Sequence, residues 1–349
     1  MSPTASCVLI TGGAGYIGSH TAKALSRAGF YPLVLDDLRE GHRRAVQWGP
    51  LVVADLADED ALRATFAAYP IEAVIHFAAS AYVGESMHVP QLYFQNNVVN
   101  TLNLLKVMLE NEVNTLVFSS SCATYGYPRR IPIAEDHEQH PVNPYGESKL
   151  MVERVLVWYA RAYGLRSAAL RYFNAAGADP DGDLGEMHDP EPHLIPRAIA
   201  TAQGFSPAMD IYGTDYDTPD GTAVRDYVHV ADLADAHLAA LRHLRSNGEP
   251  GAFNLGTGTG HSVREVVTMV ERVSGAAVPL RELPRRAGDP ATLVADAGKA
   301  AKCLGWRPRH SDLQRIVETA WNWHTSLHRA GGAGNDAASV AGDRQGGIP

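Results

Sequence analysis

The stretch Thr11-Gly12-Gly13-Ala14-Gly15-Tyr16-Ile17-Gly18 constrains this chain more than any other. It follows Cys7-Val8-Leu9-Ile10, an apolar run that reads as a buried parallel strand. A helical pattern carrying Ile17, Ala24 and Leu25 comes after it. Glycines at a strand-to-helix turn let the backbone approach a pyrophosphate, and the helix N-terminus stabilises that charge. Glycine loops are common. It is the placement between strand and helix that makes Gly12, Gly15 and Gly18 a candidate dinucleotide cradle.

The pattern then repeats. Pro32-Leu33-Val34-Leu35 reads as a strand ending in Asp36-Asp37. Asp36 lies about 20 residues beyond the glycines, where an acid accepts hydrogen bonds from an adenosine ribose. That favours NAD over NADP, although Arg39, Arg43 and Arg44 lie close by and a cap or turn is the alternative role. Leu51-Val52-Val53 precedes Asp55-Leu56, where Asp55 either reaches the adenine edge or serves a turn. Residues 58–68 read as a helix and Ala73-Val74-Ile75-His76 as a strand, with His76 a packed core histidine. Small residues after Phe77, Ala78 and Ala79, leave room for a flat cofactor. A helical pattern from Pro90 to Asn111 is interrupted by Asn97. Leu116-Val117-Phe118 delivers Ser119-Ser120-Ser121 to a strand's carboxyl end, where ligands bind in open parallel sheets. A sixth strand, Ser167 to Arg171, leads to Tyr172-Phe173-Asn174, and Phe253-Asn254-Leu255 reads as a later strand before a glycine turn. The alternation predicts an α/β fold with a doubly wound parallel sheet.

Tyr145 and Lys149 stand four apart, on one face of a helix. An ammonium beside a phenol lowers its pKa and makes it a candidate base for a sugar hydroxyl. The same spacing also fits an ordinary helix start after Pro144, with an apolar stripe through Val152, Leu156, Tyr159 and Tyr163.

With 349 residues, 45% of them hydrophobic, the chain has material for one large or two modest domains. Near residue 174 the composition shifts, and 175–192 are rich in Gly, Pro and Asp. We expect a nucleotide-binding domain over 1–174, with a later segment of about 225–258 returning to it. A smaller mixed α/β substrate domain over 175–327 and a disordered tail over 328–349 follow. The net charge of −9 requires local cations for any polyphosphate, and Arg197, Arg225, Arg285 and Arg286 supply them. The glycines at 256, 258 and 260 are not flanked as a second dinucleotide loop, while Ser262 and Glu265 have capping-box spacing. Nothing in the sequence points to nucleic acid, a membrane span, a signal peptide, a disulfide framework or a zinc site, so a cytoplasmic protein is expected.

Taken in order, the glycine loop, Val83-Gly84-Glu85-Ser86, Phe118-Ser119-Ser120-Ser121, Pro144-Tyr145-Gly146-Glu147-Ser148-Lys149, Arg171-Tyr172-Phe173-Asn174 and Val224-Arg225-Asp226-Tyr227-Val228-His229-Val230 resemble the extended short-chain dehydrogenase/reductase family. Within it they resemble the sugar-nucleotide 4-epimerases, over about residues 7 to 327. The resemblance implies an NAD-dependent inversion at C4 of a UDP-hexose through a 4-keto sugar, with no metal required. A homodimer is implied as well. Tyr145 would be the base, Lys149 would lower its pKa, and Ser121 would hold the 4-oxygen. Tyr16, Ile17, Asp36, Asp37, Asp55, Leu56, Phe77, Asn97 and Phe173 would line the NAD site. Asn174, Leu194, Tyr212, Arg225, Arg286 and Asp289 would hold the UDP-sugar. Departures from the family pattern are Ala81 at a cofactor-contacting lysine, His193 for an asparagine beside the substrate, and Cys122-Ala123 after the serines. The last variant also occurs in epimerases acting on UDP-pentoses, which is the alternative substrate class. Leu293 falls where the sugar's 2-substituent is gated. A catalytically silent NAD sensor would be expected to lack Tyr145 or Lys149, and both are present.

Overall fold

The computed structural model describes residues 6–286 and 288–339, the stretch 328–339 by its backbone alone. The chain opens with β1 (Cys7–Thr11), α1 (Tyr16–Arg27), β2 (Tyr31–Asp36), β3 (Leu51–Val53), α2 (Glu59–Ala68) and β4 (Ile71–His76). Two single-turn helices, α3 (Val83–Ser86) and α4 (Pro90–Tyr93), lead through a π-helical turn over Phe94–Val99 into α5 (Asn100–Glu110). Then come β5 (Thr115–Ser121), α6 (Pro144–Tyr163), β6 (Arg166–Tyr172), β7 (Asn174–Ala176), α7 (Leu194–Ala202) and β8 (Met209–Tyr212). They are followed by β9 (Val224–Arg225), β10 (Tyr227–His229), α8 (Val230–Arg245), β11 (Gly251–Leu255), β12 (His261–Ser262) and α9 (Val263–Ser274). The last elements are β13 (Leu280–Leu283), β14 (Thr292–Leu293), α10 (Gly298–Cys303) and α11 (Leu313–Ser339).

Seven strands form one sheet in the order β11-β6-β5-β4-β1-β2-β3, every neighbouring pair parallel. Both faces are covered, which is why the strands read as nearly unbroken apolar runs. Along β1 the side chains alternate between two cores. Val8 and Ile10 pack with Leu25 of α1 and Leu233 and Leu241 of α8. Leu9 packs with Leu62, Leu104, Leu105 and Val152 from α2, α5 and α6. The strand order reverses between β1 and β4, and the carboxyl ends of β1, β4 and β5 open on that crevice. This is the doubly wound α/β architecture the sequence predicts. A further core, built from Ile195, Ile199, Val266, Val270, Ile316 and Val317, joins α7, α9 and α11 outside the sheet.

Local signals set the element ends. Asn143 caps α6 by accepting from the Gly146 N–H at 2.8 Å, Pro144 occupies the first turn, and Gly164 at φ +72° closes it. The capping box at Ser262 and Glu265 is complete in both directions.

The interruption expected at Asn97 is a π turn over Phe94–Val99, between α4 and α5. The tail expected to be disordered from 328 instead continues α11 to Ser339. Residues 340–349 lie outside the described residues.

A buried ammonium fastens the Gly/Asp-rich segment to α1. Lys23 Nζ donates to Asp179, Asp181 and Asp183 at 2.5, 3.0 and 2.8 Å, with the Lys23 and Asp179 side chains only 5% and 6% exposed. Lys23→Met is expected to cost about 2–3 kcal/mol, below the roughly 3–5 of a wholly buried pair because Asp181 and Asp183 can turn to water. Urea titration checks it; a loss under about 0.5 kcal/mol, the size of a neutral surface change, would contradict the assignment.

Candidate active site

The glycine turn is packed to the limit. Gly12 sits at φ +71°, and a Cβ there would lie 2.5 Å from the Ala78 nitrogen. A Cβ on Gly18 would lie 2.3 Å from the Gly12 carbonyl. Gly15, the N-cap of α1, offers no side-chain cap, so the first N–H groups of the helix are left for a ligand's anion. The first α1 residues, Tyr16 and Ile17, bring their backbone to this turn. The Tyr16 phenol donates to the Gly177 carbonyl at 2.6 Å, and the Ile17 side chain packs into the sheet core. A flat phosphate-bearing dinucleotide fits such a side-chain-free cradle.

Asp36 is tied into the same loop. Its carboxylate accepts from the Ala14 and Leu38 N–H groups, each at 2.9 Å, which leaves lone pairs for a further donor. Burial raises its pKa, and these two bonds oppose the rise. Arg39 is clipped between Asp37 and Asp55, so that cation is neutralised by two acids. The Asp55 carboxylate also accepts from the Ala57 N–H, which makes it a turn residue as well as an ion-pair partner. The Leu56 side chain is core. Phe77 turns its ring against His237, centroids 4.5 Å apart. Phe77 and Ala78 donate their N–H groups to the Thr11 carbonyl, and Ala79 stands half-buried beside them. Asn97 locks this turn: its carbonyl accepts from Ser80 N–H at 2.8 Å, and its amide donates to Ser80 O at 3.0 Å and Ser148 Oγ at 2.9 Å. Its two amide protons thus join β4's outlet to α6. His76 is the core histidine the sequence suggests, bridging Thr11 and Thr101 hydroxyls, with burial lowering its pKa to about 3.

At the end of β5 the structure brings Ser121, Tyr145 and Lys149 together. The Ser121 hydroxyl accepts from the Ala123 N–H at 3.1 Å, and its influence on the Tyr145 phenol is to lower that group's pKa. Lys149 Nζ lies 5.8 Å from the Tyr145 ring centre and donates to the Ser119 carbonyl at 2.9 Å. The expected drop in the phenol's pKa does not arise from the chain alone. Burial raises the Tyr145 pKa well above the ordinary value, and Ser121 only partly opposes it. Lys149 carries the shift instead: burial lowers it to about 7, with Glu153 pulling upward.

That shift fixes a stability prediction. The folded pKa of Lys149 lies below its usual value of 10.5. Between pH 7 and 10.5 the unfolded chain therefore binds more protons, and stability rises with pH; below about 7 the full penalty of burying the charge applies. Lys149→Met is expected to stabilise the ligand-free protein at pH 7 by about 1–3 kcal/mol, offset by the lost bond to Ser119. The difference should shrink at pH 9 to 10, which paired denaturation curves read directly. A constant difference across that range would rule the shift out.

Beside the triad, Phe173 and Leu293 pack with Cys122, Tyr125, Ile133 and Ala295 in a small buried cluster. Leu293 pairs with Arg225 across β14 and β9. Tyr212, Arg225, Arg286 and Asp289 gather on the second lobe. Arg286 stacks 4.9 Å over the Tyr212 ring and bonds Asp289 at 3.0 Å, and Arg225 lies 3.5 Å from the same carboxylate. Asn174 starts β7 and donates its N–H to the Asp226 carbonyl at 2.9 Å. Leu194 begins α7 and packs on the second-lobe core. His193, just before it, is drawn into a cluster with Glu186, His188 and Glu191.

Two supporting groups escaped the sequence reading. Glu153 forms a buried pair with Arg171 at 2.5 Å and accepts from Ser120 Oγ at 2.5 Å; Arg171 goes on to Tyr125 Oη at 2.9 Å. The signal was Glu153 standing one helical turn past Lys149. Asp226, fully buried, accepts from the Thr257, Gly258 and Ala295 N–H groups. The glycine turn after β11 thus wraps a carboxylate.

With this geometry in view, likeness to known proteins becomes informative. Residues 8–256 match the NAD dependent epimerase/dehydratase family. The chain is 50% identical over 317 residues to a UDP-glucose 4-epimerase of Halalkalibacterium halodurans, covering 91% of this chain and 95% of that one. It superposes with a TM-score of 0.89 on a UDP-glucose 4-epimerase of Brucella ovis in complex with NAD, at 53% identity over 91% of this chain and 98% of that one. With a TM-score of 0.90 it also matches a UDP-glucose-4-epimerase of Stenotrophomonas maltophila with bound NAD and formylated UDP-arabinopyranose, at 40% identity over 93% and 99% of the two chains. A glycine cradle at the sheet's switch point, a serine–tyrosine–lysine set at the end of β5, and relatives alike over nearly their whole lengths agree: this chain belongs to the NAD dependent epimerase/dehydratase family.

Proposed function

We propose that this chain inverts C4 of a UDP-hexose, interconverting UDP-glucose and UDP-galactose with NAD as cofactor. The observation that carries the reading is Ser121 at the outlet of β5 beside Tyr145 and Lys149 on the first turns of α6, with Lys149 Nζ 5.8 Å from the Tyr145 ring. NAD, when bound, supplies the hydride acceptor and donor at C4. The chain's own residues do the rest. Tyr145 takes the 4-hydroxyl proton and later returns it, and Ser121 holds the 4-oxygen. Lys149, behind the ring with its pKa lowered by burial, sustains the phenol's ionised form when it carries its proton. Gly12, Gly15, Gly18 and the N-terminus of α1 hold the cofactor's pyrophosphate. Asp36 takes the adenosine ribose, and the pairing of Arg39 with Asp37 and Asp55 supports NAD over NADP. Arg225 and Arg286 grip the substrate's diphosphate, while Phe173, Leu293 and Cys122 offer the sugar only an apolar wall. Tight diphosphate and loosely held sugar suit a 4-keto sugar that must show both faces.

The nucleotide site belongs to 1–174 with the returning 225–258, and the UDP-sugar grip to 175–327. Exposed Met151, Val157, Trp158 and Tyr163 on α6 support a homodimer. Among the described residues no helix is long and apolar enough to cross a membrane, which fits the proposed place in the cytoplasm.

Purified protein, with no NAD added, is incubated separately with UDP-galactose, UDP-xylose and UDP-N-acetylglucosamine, and the products are chromatographed. Conversion of UDP-galactose to UDP-glucose is expected to be fastest. Exclusive turnover of UDP-xylose would move the assignment to pentoses, and no turnover with any sugar would end it.

A further inference from the structure

The loop Glu186-Met187-His188-Asp189-Pro190-Glu191-Pro192-His193 enters the reading above only through His193, expected beside the substrate, yet it gathers four ligand-type side chains. The donor atoms of Glu186, His188, Glu191 and His193 all lie within 4.8 Å of one another. Glu186 Oε1 is 3.0 Å from His188 Nδ1 and 2.7 Å from His193 Nδ1. Glu191 stands 2.9 Å from His193 Nδ1 and 3.7 Å from His188 Nδ1. A tetrahedral ion at the usual zinc distances of about 2.0–2.2 Å separates its ligands by about 3.3–3.6 Å. The observed edges straddle that value.

The orientation matters more than the distances. His188 Nδ1 is buried and close to a carboxylate, but it makes no hydrogen bond. The ring nitrogen is aimed past the oxygen rather than at it. In a plain ion-pair network the N–H would turn onto its acceptor, because a misaligned bond is worth little. Two imidazoles with centroids 5.1 Å apart, converging on two carboxylates, suit a shared central cation better than two mutually repelling imidazolium charges. The cluster is also preorganised. Trp323 Nε1 donates to the Glu186 carbonyl at 3.0 Å, and a Cβ on Gly185 would strike the same indole at 2.3 Å. His193, 44% exposed, gives the ion a route in.

We propose that Glu186, His188, Glu191 and His193 form a divalent transition-metal site of the zinc class, a structural clip on the segment lying over the start of α1. Two imidazoles with two carboxylates favour zinc over calcium or magnesium, which prefer all-oxygen shells. The clip holds this segment where His42 bonds the Met187 carbonyl at 2.6 Å and Tyr82 lays its ring edge-on to His188. The expected reaction needs no metal, so the ion's place is in stability.

The test uses tag-free full-length protein, stripped with dipicolinate and titrated with zinc chloride by calorimetry, with metal content read by mass spectrometry and melting followed by circular dichroism. About one zinc per chain is expected, with a rise in melting temperature that magnesium and calcium do not reproduce. His188→Ala and, independently, Glu191→Gln should lose the bound equivalent and the zinc-dependent rise. Wild-type protein with no binding tighter than about 1 mM overturns the proposal. So does a folded His188→Ala variant that binds zinc as wild type does.

Discussion

Replacing Tyr145 with phenylalanine is expected to lower kcat by about 10²–10⁴-fold, the usual worth of a positioned acid–base group. The phenol oxygen is all that is removed. The ring stays in its pocket edge-on to Tyr93, with centroids 6.5 Å apart, so packing should survive. Affinity for UDP should be nearly unchanged, since the diphosphate is assigned to Arg225 and Arg286 on the other lobe. A loss in kcat with an intact dissociation constant for UDP is therefore the signature, read by steady-state kinetics beside calorimetry. Turnover within a few-fold of wild type would remove Tyr145 from the chemistry. The ligand-free chain holds this phenol protonated, because burial outweighs the influence of Ser121. Ionisation therefore needs a positive charge beside the ring, and Lys149, its pKa lowered by burial to about 7, is the side chain placed to carry it.

Arg171→Met is expected to destabilise the protein by about 3–5 kcal/mol, the cost of stranding a buried charge. Glu153 and Arg171 expose only 9% and 6% of their side chains, so solvent screens neither. Removing the guanidinium leaves the Glu153 carboxylate with Ser120 and Gln139 as its remaining donors, and leaves Tyr125 without its cationic partner. The double change Glu153→Leu with Arg171→Met should recover much of the loss, because an apolar pair of similar volume needs no desolvation of charge. Denaturant titration of the four proteins of that cycle measures the coupling directly. A single-variant loss below about 1 kcal/mol would mean water reaches the carboxylate after all. The pair also bears on chemistry, since Glu153 lies one helical turn beyond Lys149 and supports its charge.

The architecture was legible because period and punctuation agreed. Val8 and Ile10 face one core and Leu9 the other, so the strand reads as apolar throughout, and Gly12, Gly15 and Gly18 mark its outlet. The candidate site was legible where residue type and position coincided, as at Ser121 after β5 and Tyr145 with Lys149 on α6. Its electrostatics were not. A four-residue spacing says that two side chains share a face; it says nothing of burial, which here pushes the phenol up and the amine down. Glu153 and Arg171 sit among ordinary helix and strand residues, and only the fold shows that they meet. The break at Asn97 was legible as an interruption of the helical pattern, and the fold shows it to be a π turn. Past residue 328, glycine content suggested disorder, whereas the backbone continues as helix to Ser339.

The edge strand β11 has a consequence for how the molecule is made. It joins β6 only after some eighty residues, from Tyr172 to Gly251, in which the chain visits the outer lobe and then lays α8 back on the sheet. While a ribosome is still supplying that excursion, β6 waits as a bare rim with its ladder groups unanswered, the kind of border on which nascent chains stick to one another. A fragment cut at residue 174 would keep that rim for good. The cofactor half is therefore finished late in synthesis, by a strand that arrives from beyond the lobe it must later work against.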